Sequence, residues 1–139
     1  MGPAGIVLAI GGAISFAFGA LTGLWLHASM MKDPEHKVPR YKMTLHKEAL
    51  WSSFLCFAIA GWADEMPMPE AANVAVAWCV VLTGWFAMGQ YFLVARANVQ
   101  NAYKEAMPGG VGLFGKGALI VNLLAVGGLL LGTALFLVP

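Results

Sequence analysis

Charge is scarce in this chain. Of 139 residues, eight are Lys or Arg and seven are Asp or Glu, while 60% are hydrophobic. A water-soluble domain is nearer half apolar and a quarter charged, so composition excludes an ordinary soluble fold. Cysteine is scarce as well. Cys56 and Cys79 stand alone in apolar runs, without metal-type spacing or the makings of a disulfide framework; both read as small buried hydrophobes. No stretch alternates apolar and polar residues over the roughly ten positions of a membrane β-strand, which excludes a β-barrel. A G-x-S-x-G nucleophile elbow, a glycine-rich phosphate loop and a basic stripe for nucleic acid are also missing, and no nucleic-acid partner is expected.

What the chain does have is four long apolar segments, at about 4–31, 43–63, 70–96 and 111–138. Each meets the roughly 20 residues that a helix needs to cross about 30 Å of hydrocarbon. The fold class expected is all-α: an integral membrane four-helix bundle forming a single domain over residues 1–139. The first segment does not read as a removable signal, because no basic residue precedes it and it runs too long. The third is expected to continue to about Tyr103, roughly 50 Å, lifting Asn98, Gln100, Asn101 and Tyr103 toward water before Pro108-Gly109-Gly110 breaks it.

The few charges are unevenly placed. Lys32, Lys37, Arg40, Lys42 and Lys47 surround the first loop, and Arg96, Lys104 and Lys116 the third. The second loop carries only Asp64, Glu65 and Glu70. The positive-inside rule then puts loops one and three in the cytoplasm and both termini outside, with membrane lipid as a partner. Small residues recur every fourth position in the first segment (Gly11, Ser15, Gly19, Gly23) and again as Ala125, Gly128 and Gly132 in the last. That spacing favours close helix packing.

Polar side chains inside such segments are costly and persist where they have a partner or a job. His27, His46, Gln90 and Tyr91 fall at one depth, about 5–10 Å below the basic surface, on three different segments. Pockets between helices have this character: apolar walls with a few convergent polar groups. Gly84, Met88, Tyr91, Ala95 and Asn98 follow helical spacing, and Trp51, Trp85 and Phe86 offer aromatic walls. His46 has three uses open to it: a metal, a proton or a packing contact. It reads equally as an interfacial histidine at a helix start, and Tyr91 as an aromatic-belt residue. No zinc-type cluster surrounds His46, and Glu48 points to another face of the helix. A lone imidazole suits haem iron, which needs only an axial ligand. His27 offers a second such ligand, as in a bis-histidine electron carrier, whereas His36 reads as a solvated loop residue.

The stretch Leu45-His46-Lys47-Glu48-Ala49-Leu50-Trp51-Ser52, followed by Gly84-Trp85-Phe86-Ala87-Met88-Gly89-Gln90-Tyr91, resembles the styrene oxide isomerases. Leu21-Thr22-Gly23, Pro39-Arg40, Met43 and Leu45-His46 are similar to the neighbouring hydroxylaminobenzene mutase group. The resemblance covers the first three segments. It implies a multi-pass protein of the bacterial inner (cytoplasmic) membrane, assembled as a homo-oligomeric trimer, with haem b held at the subunit contact by His46. Trp51 and Trp85 would wall the cofactor, and Tyr91 would orient the substrate oxygen. Ser52 stands where the family has an asparagine; its hydroxyl is shorter and has one donor rather than two.

The implied reaction uses ferric iron as a Lewis acid on a small lipophilic aromatic epoxide, which rearranges to an aldehyde. A dry site keeps water from trapping the cation as a diol. The mutase version converts an aryl hydroxylamine to an aminophenol. Two non-enzymatic readings stand beside these: a b-type cytochrome or membrane anchor with His27 and His46 on iron, and a haem-free transporter, channel subunit or scaffold.

Overall fold

The computed structural model describes residues 1–35, 39–99 and 105–137. His36, Lys37, Gln100, Asn101, Tyr103, Lys104 and Val138, all singled out above, lie outside the described residues. Four helices account for 81% of the described residues: α1 (Pro3–Lys32), α2 (Arg40–Ala60), α3 (Glu70–Arg96) and α4 (Val111–Leu137). No strand occurs among the described residues. The helices fall within a turn of the expected boundaries, apart from the C-terminal end of α3. α2 starts directly after Pro39, whose fixed φ of −63° and extended ψ suit the position before a first turn.

The expected extension of α3 to Tyr103 is not found, because the helix ends at Arg96. Asn98 takes the left-handed conformation at φ 55°. The Val99 amide bonds back to the Val94 carbonyl, and the Asn98 amide to that of Ala95. These are the two bonds of a Schellman stop, which favours glycine or asparagine at the left-handed position. Val99 and Val94 add its usual hydrophobic contact. The helix is therefore about 40 Å long rather than 50.

Nor do the four helices form one closed bundle. α1, α2 and α3 pack on one another, whereas α4 packs on α3 alone among the helices. The small-residue ladder explains the trio. On α1, Gly11 lies against Val81 and Ser15 against Trp85, both of α3; Gly19 lies against Leu50 and Gly23 against His46, both of α2. α4 uses the same device on α3 and the loop before it, with Gly117 on Phe86, Gly128 on Val76 and Gly132 on Met66 and Met68. The remaining circumference of α4 is exposed and apolar, through Leu113, Leu123, Leu130 and Phe136. A helix apolar all round belongs in lipid or a larger interface.

Three helices, α1, α3 and α4, are long and apolar enough to cross a membrane. α2 falls short of the fourth span expected, because its 21 residues include Arg40, Lys42, Lys47 and Glu48. The two ends of the molecule differ in charge. Tyr41, Val94, Val99 and Val111 bring the start of α2, the end of α3 and the start of α4 together at the basic end. At the other end the acidic loop meets the N-terminus of α1. That helix starts with Gly2 and Pro3 and has no capping side chain of its own. Asp64 supplies the cap from across the loop. Its carboxylate accepts hydrogen bonds from the amides of Gly2, Ala4 (2.9 Å) and Gly5 (3.2 Å). First-turn amides lack helical partners and carry the positive end of the helix dipole, so a carboxylate is their best acceptor. Asp64→Ala should lower stability by about 1–3 kcal/mol, measured by denaturant unfolding in detergent, whereas Glu65→Ala at the exposed neighbouring position should leave it unchanged.

Candidate functional site

His46 lies about 9 Å along α2 from Arg40 and turns toward α1. Its Nδ1 is 2.9 Å from the Gly19 carbonyl oxygen. A carbonyl can only accept, so Nδ1 carries a proton, and in the neutral ring Nε2 keeps the lone pair. The same carbonyl accepts from Thr22 Oγ1 at 2.9 Å. A Cβ at Gly23 would stand 2.9 Å from His46 Cε1, too close for the ring to stay where it is. Two glycines one turn apart thus form a notch in α1, and the imidazole lies in it with its tautomer fixed. Metal-bound histidines are oriented in this way, by a hydrogen bond from the nitrogen that does not bind the metal.

No group of three His, Cys, Asp or Glu side chains able to hold a bare metal ion occurs among the described residues. A single free imidazole nitrogen fits instead a cofactor that brings most of its own ligands, as porphyrin does. His27 is exposed, one turn beyond Gly23 on α1. Above this level, Lys42 Nζ donates to Ser29 Oγ at 2.7 Å and lies 4.6 Å from the centre of the Trp25 ring, closing the basic end with a cation–π contact.

Tyr91 and Trp85 pack against the buried cluster of Leu45, Ala49, Met88 and Ala95. Leu45 and Ala49 flank His46 on α2, so these two aromatics lie on the inner side of the same helix. The Tyr91 hydroxyl makes no hydrogen bond among the described residues. Trp85 Nε1 donates to Ser15 Oγ at 3.3 Å. The Trp85 ring also walls an apolar groove of about 330 Å³ between α1 and α3, with Phe18, Met88 and Phe92.

Ser52 and Trp51 lie elsewhere. Ser52 is buried against Gly84, and Trp51, 70% exposed, is on the outer side of α2. Both line a second groove, of about 170 Å³, between α2 and α3. Six positions along a helix turn the chain by about 240°, which carries Ser52 toward α3 while His46 faces α1. Gln90 and Phe86 do not join the site at all. Gln90 faces Gly115 of α4, and Phe86 packs on Gly117 and on Phe114 at 6.0 Å between ring centres. Of the side chains expected to converge, one chain gathers Tyr91 and Trp85 beside the His46 segment and leaves Ser52 and Trp51 in the α2–α3 groove.

Comparison of the chain with protein-family models, curated proteins and solved structures gives no match.

Two features escaped the sequence reading. Gly19 and Gly23 were legible as packing residues, but their service to His46 depends on which helix faces them. Glu48 shares the second groove with Trp51 and Ser52, a relation their i, i+3, i+4 spacing does carry. The notch makes a spectroscopic prediction. In ¹⁵N NMR of the labelled protein without added haem, neutral His46 should show a protonated Nδ1 and a bare Nε2. The opposite tautomer would contradict the Gly19 hydrogen bond.

Proposed function

We propose that this chain is an integral membrane isomerase that binds haem b through His46 and rearranges a small lipophilic aromatic epoxide to an aldehyde. The observation that carries the reading is the hydrogen bond from His46 Nδ1 to Gly19, which in the neutral ring leaves Nε2 as a fixed donor to iron. Ferric haem, when bound, supplies a Lewis acid for the substrate oxygen. The chain's own residues do the rest. Gly19 and Gly23 hold the imidazole. Tyr91, with an uncommitted hydroxyl in apolar surroundings, orients the substrate oxygen by donating a hydrogen bond. Trp85, Met88 and their neighbours keep water from a cationic centre that it would capture.

Within one chain, Ser52 and Trp51 face away from His46. They act on the same substrate only across a contact between copies, which is the homo-oligomer, a trimer, that the family resemblance implies. Three apolar helices and a basic end support a place in the bacterial inner membrane, with the basic loops toward the cytoplasm.

His46→Ala should abolish haem retention in the detergent-purified protein while preserving the helical far-UV signal; full haem content in that variant would overturn the proposal. Tyr91→Phe should retain haem and slow the turnover of styrene oxide by about tenfold or more. Unchanged kinetics would return Tyr91 to a packing role.

A further inference from the structure

We infer that copies of this chain meet in the membrane through α4, with the Asn122 amide of each hydrogen-bonded to Asn122 of its neighbour. Asn122 lies about 17 Å from the start of α4 and about 22 Å from its end, so it falls within the hydrocarbon when the helix spans it. Its side chain is exposed, and it makes no hydrogen bond among the described residues. α4 packs on α3 alone among the helices, so neither α1 nor α2 comes round to supply a partner. An unpaired amide in lipid is costly, and polar side chains at this depth face a protein interior or a water-filled cavity. The interior that Asn122 requires lies outside the single chain.

The pattern around Asn122 names the partner. Between Lys116 and the end of α4, the only polar side chains are Asn122 and Thr133. Their separation of eleven residues turns a helix by about 1100°, so the two lie within about 20° of each other. Leu119, Asn122, Val126, Leu129, Thr133 and Phe136 follow at steps of three and four, the spacing of a seam between helices. All but Leu129 are exposed. Gly117, Gly128 and Gly132, which receive α3 and the loop before it, lie about 80–140° to one side, so the seam stays open while α3 is in place. Thr133 Oγ1 already donates to the Leu129 carbonyl at 2.8 Å, which leaves Asn122 as the group in need. An amide both donates and accepts, so it pairs with a second amide and needs no other residue type. Copies inserted in one orientation around an axis along the membrane normal hold Asn122 at the same depth without adjustment. A carboxylate or an ammonium would repel its own copy across such an axis, whereas amides close a pair or a ring. One polar residue in an apolar seam also fixes register and the number of copies. The inference rests on the homo-oligomer proposed above and names the helix that makes its contact; haem does not enter.

The test uses the full-length protein in phospholipid vesicles without haem, with donor and acceptor fluorophores on separate batches, and follows energy transfer as added lipid dilutes the chains. Transfer between copies should fall on dilution. Asn122→Leu should associate about three- to tenfold more weakly, the range expected for hydrogen bonds between membrane helices, and Asn122→Gln, which keeps the amide, should stay close to the unmodified chain. As a second readout, mild oxidation should link Asn122→Cys to its copy above the background set by Cys56 and Cys79. Ile120→Cys, exposed but about 160° around the same helix, should not link. The α4 contact is overturned if Asn122→Leu associates as tightly as the unmodified chain, or if Ile120→Cys links as readily as Asn122→Cys; the homo-oligomer then stands on another face. If the unmodified chain shows no transfer at any dilution, the homo-oligomer fails along with the contact. Should Asn122→Leu fail to insert, the cysteine pair alone decides: linkage at 122 and none at 120 supports the contact, and any other pattern overturns it.

Discussion

The Gly19 carbonyl reaches out of α1 because no side chain stands over it, and the proton on His46 Nδ1 meets it at 2.9 Å. Everything proposed for the imidazole depends on that close approach of two backbones. In stability terms the bond is small. Side-chain hydrogen bonds between membrane helices average about 0.6 kcal/mol. Its importance is orientation: it selects one tautomer, holds the ring against Gly23 and decides which nitrogen is left to bind. The remainder of the α1 ladder serves the same close packing, with Gly11 and Ser15 facing α3 as Gly19 and Gly23 face α2.

The work is divided among the helices. α2 carries many of the charged and polar side chains and is the one helix whose composition falls short of a span. It is also placed where polarity can be satisfied, between α1 and α3. Lys42 finds Ser29 and the Trp25 ring, His46 finds Gly19, and Glu48 is left facing its groove. α4 is the converse case, apolar over most of its surface and packed on α3 and the loop before it. At the acidic end, Asp64 ties the loop after α2 to the first turn of α1. Ionic and apolar constraints therefore fix opposite ends of the same three-helix unit.

Helix number and position were legible in the sequence because long apolar runs leave the chain little choice. The end of α3 was legible in principle: Asn98 is a residue type that tolerates the left-handed stop, and the polar tail beyond it concealed that signal. Depth was legible too, since residues count distance along a helix. Azimuth was not. Gln90 and Tyr91 share a depth, yet Gln90 faces α4 and Tyr91 the three-helix core. Which face meets which neighbour is decided by where the small residues allow approach, and periodicity alone names faces without naming their partners. The Asp64 cap escaped for a related reason, because it joins residues some sixty positions apart. The clue was an uncapped helix start at the same end as an acidic loop.

The most direct test of the role of His46 is the absorption spectrum of the unmodified protein, purified in mild detergent from cells supplied with haem and recorded with and without styrene oxide. A Soret band close to one haem per chain, of a form with one open iron position and perturbed by the epoxide, is expected if Nε2 is the sole protein ligand to iron. A colourless protein that also fails to take up added haem would contradict that role.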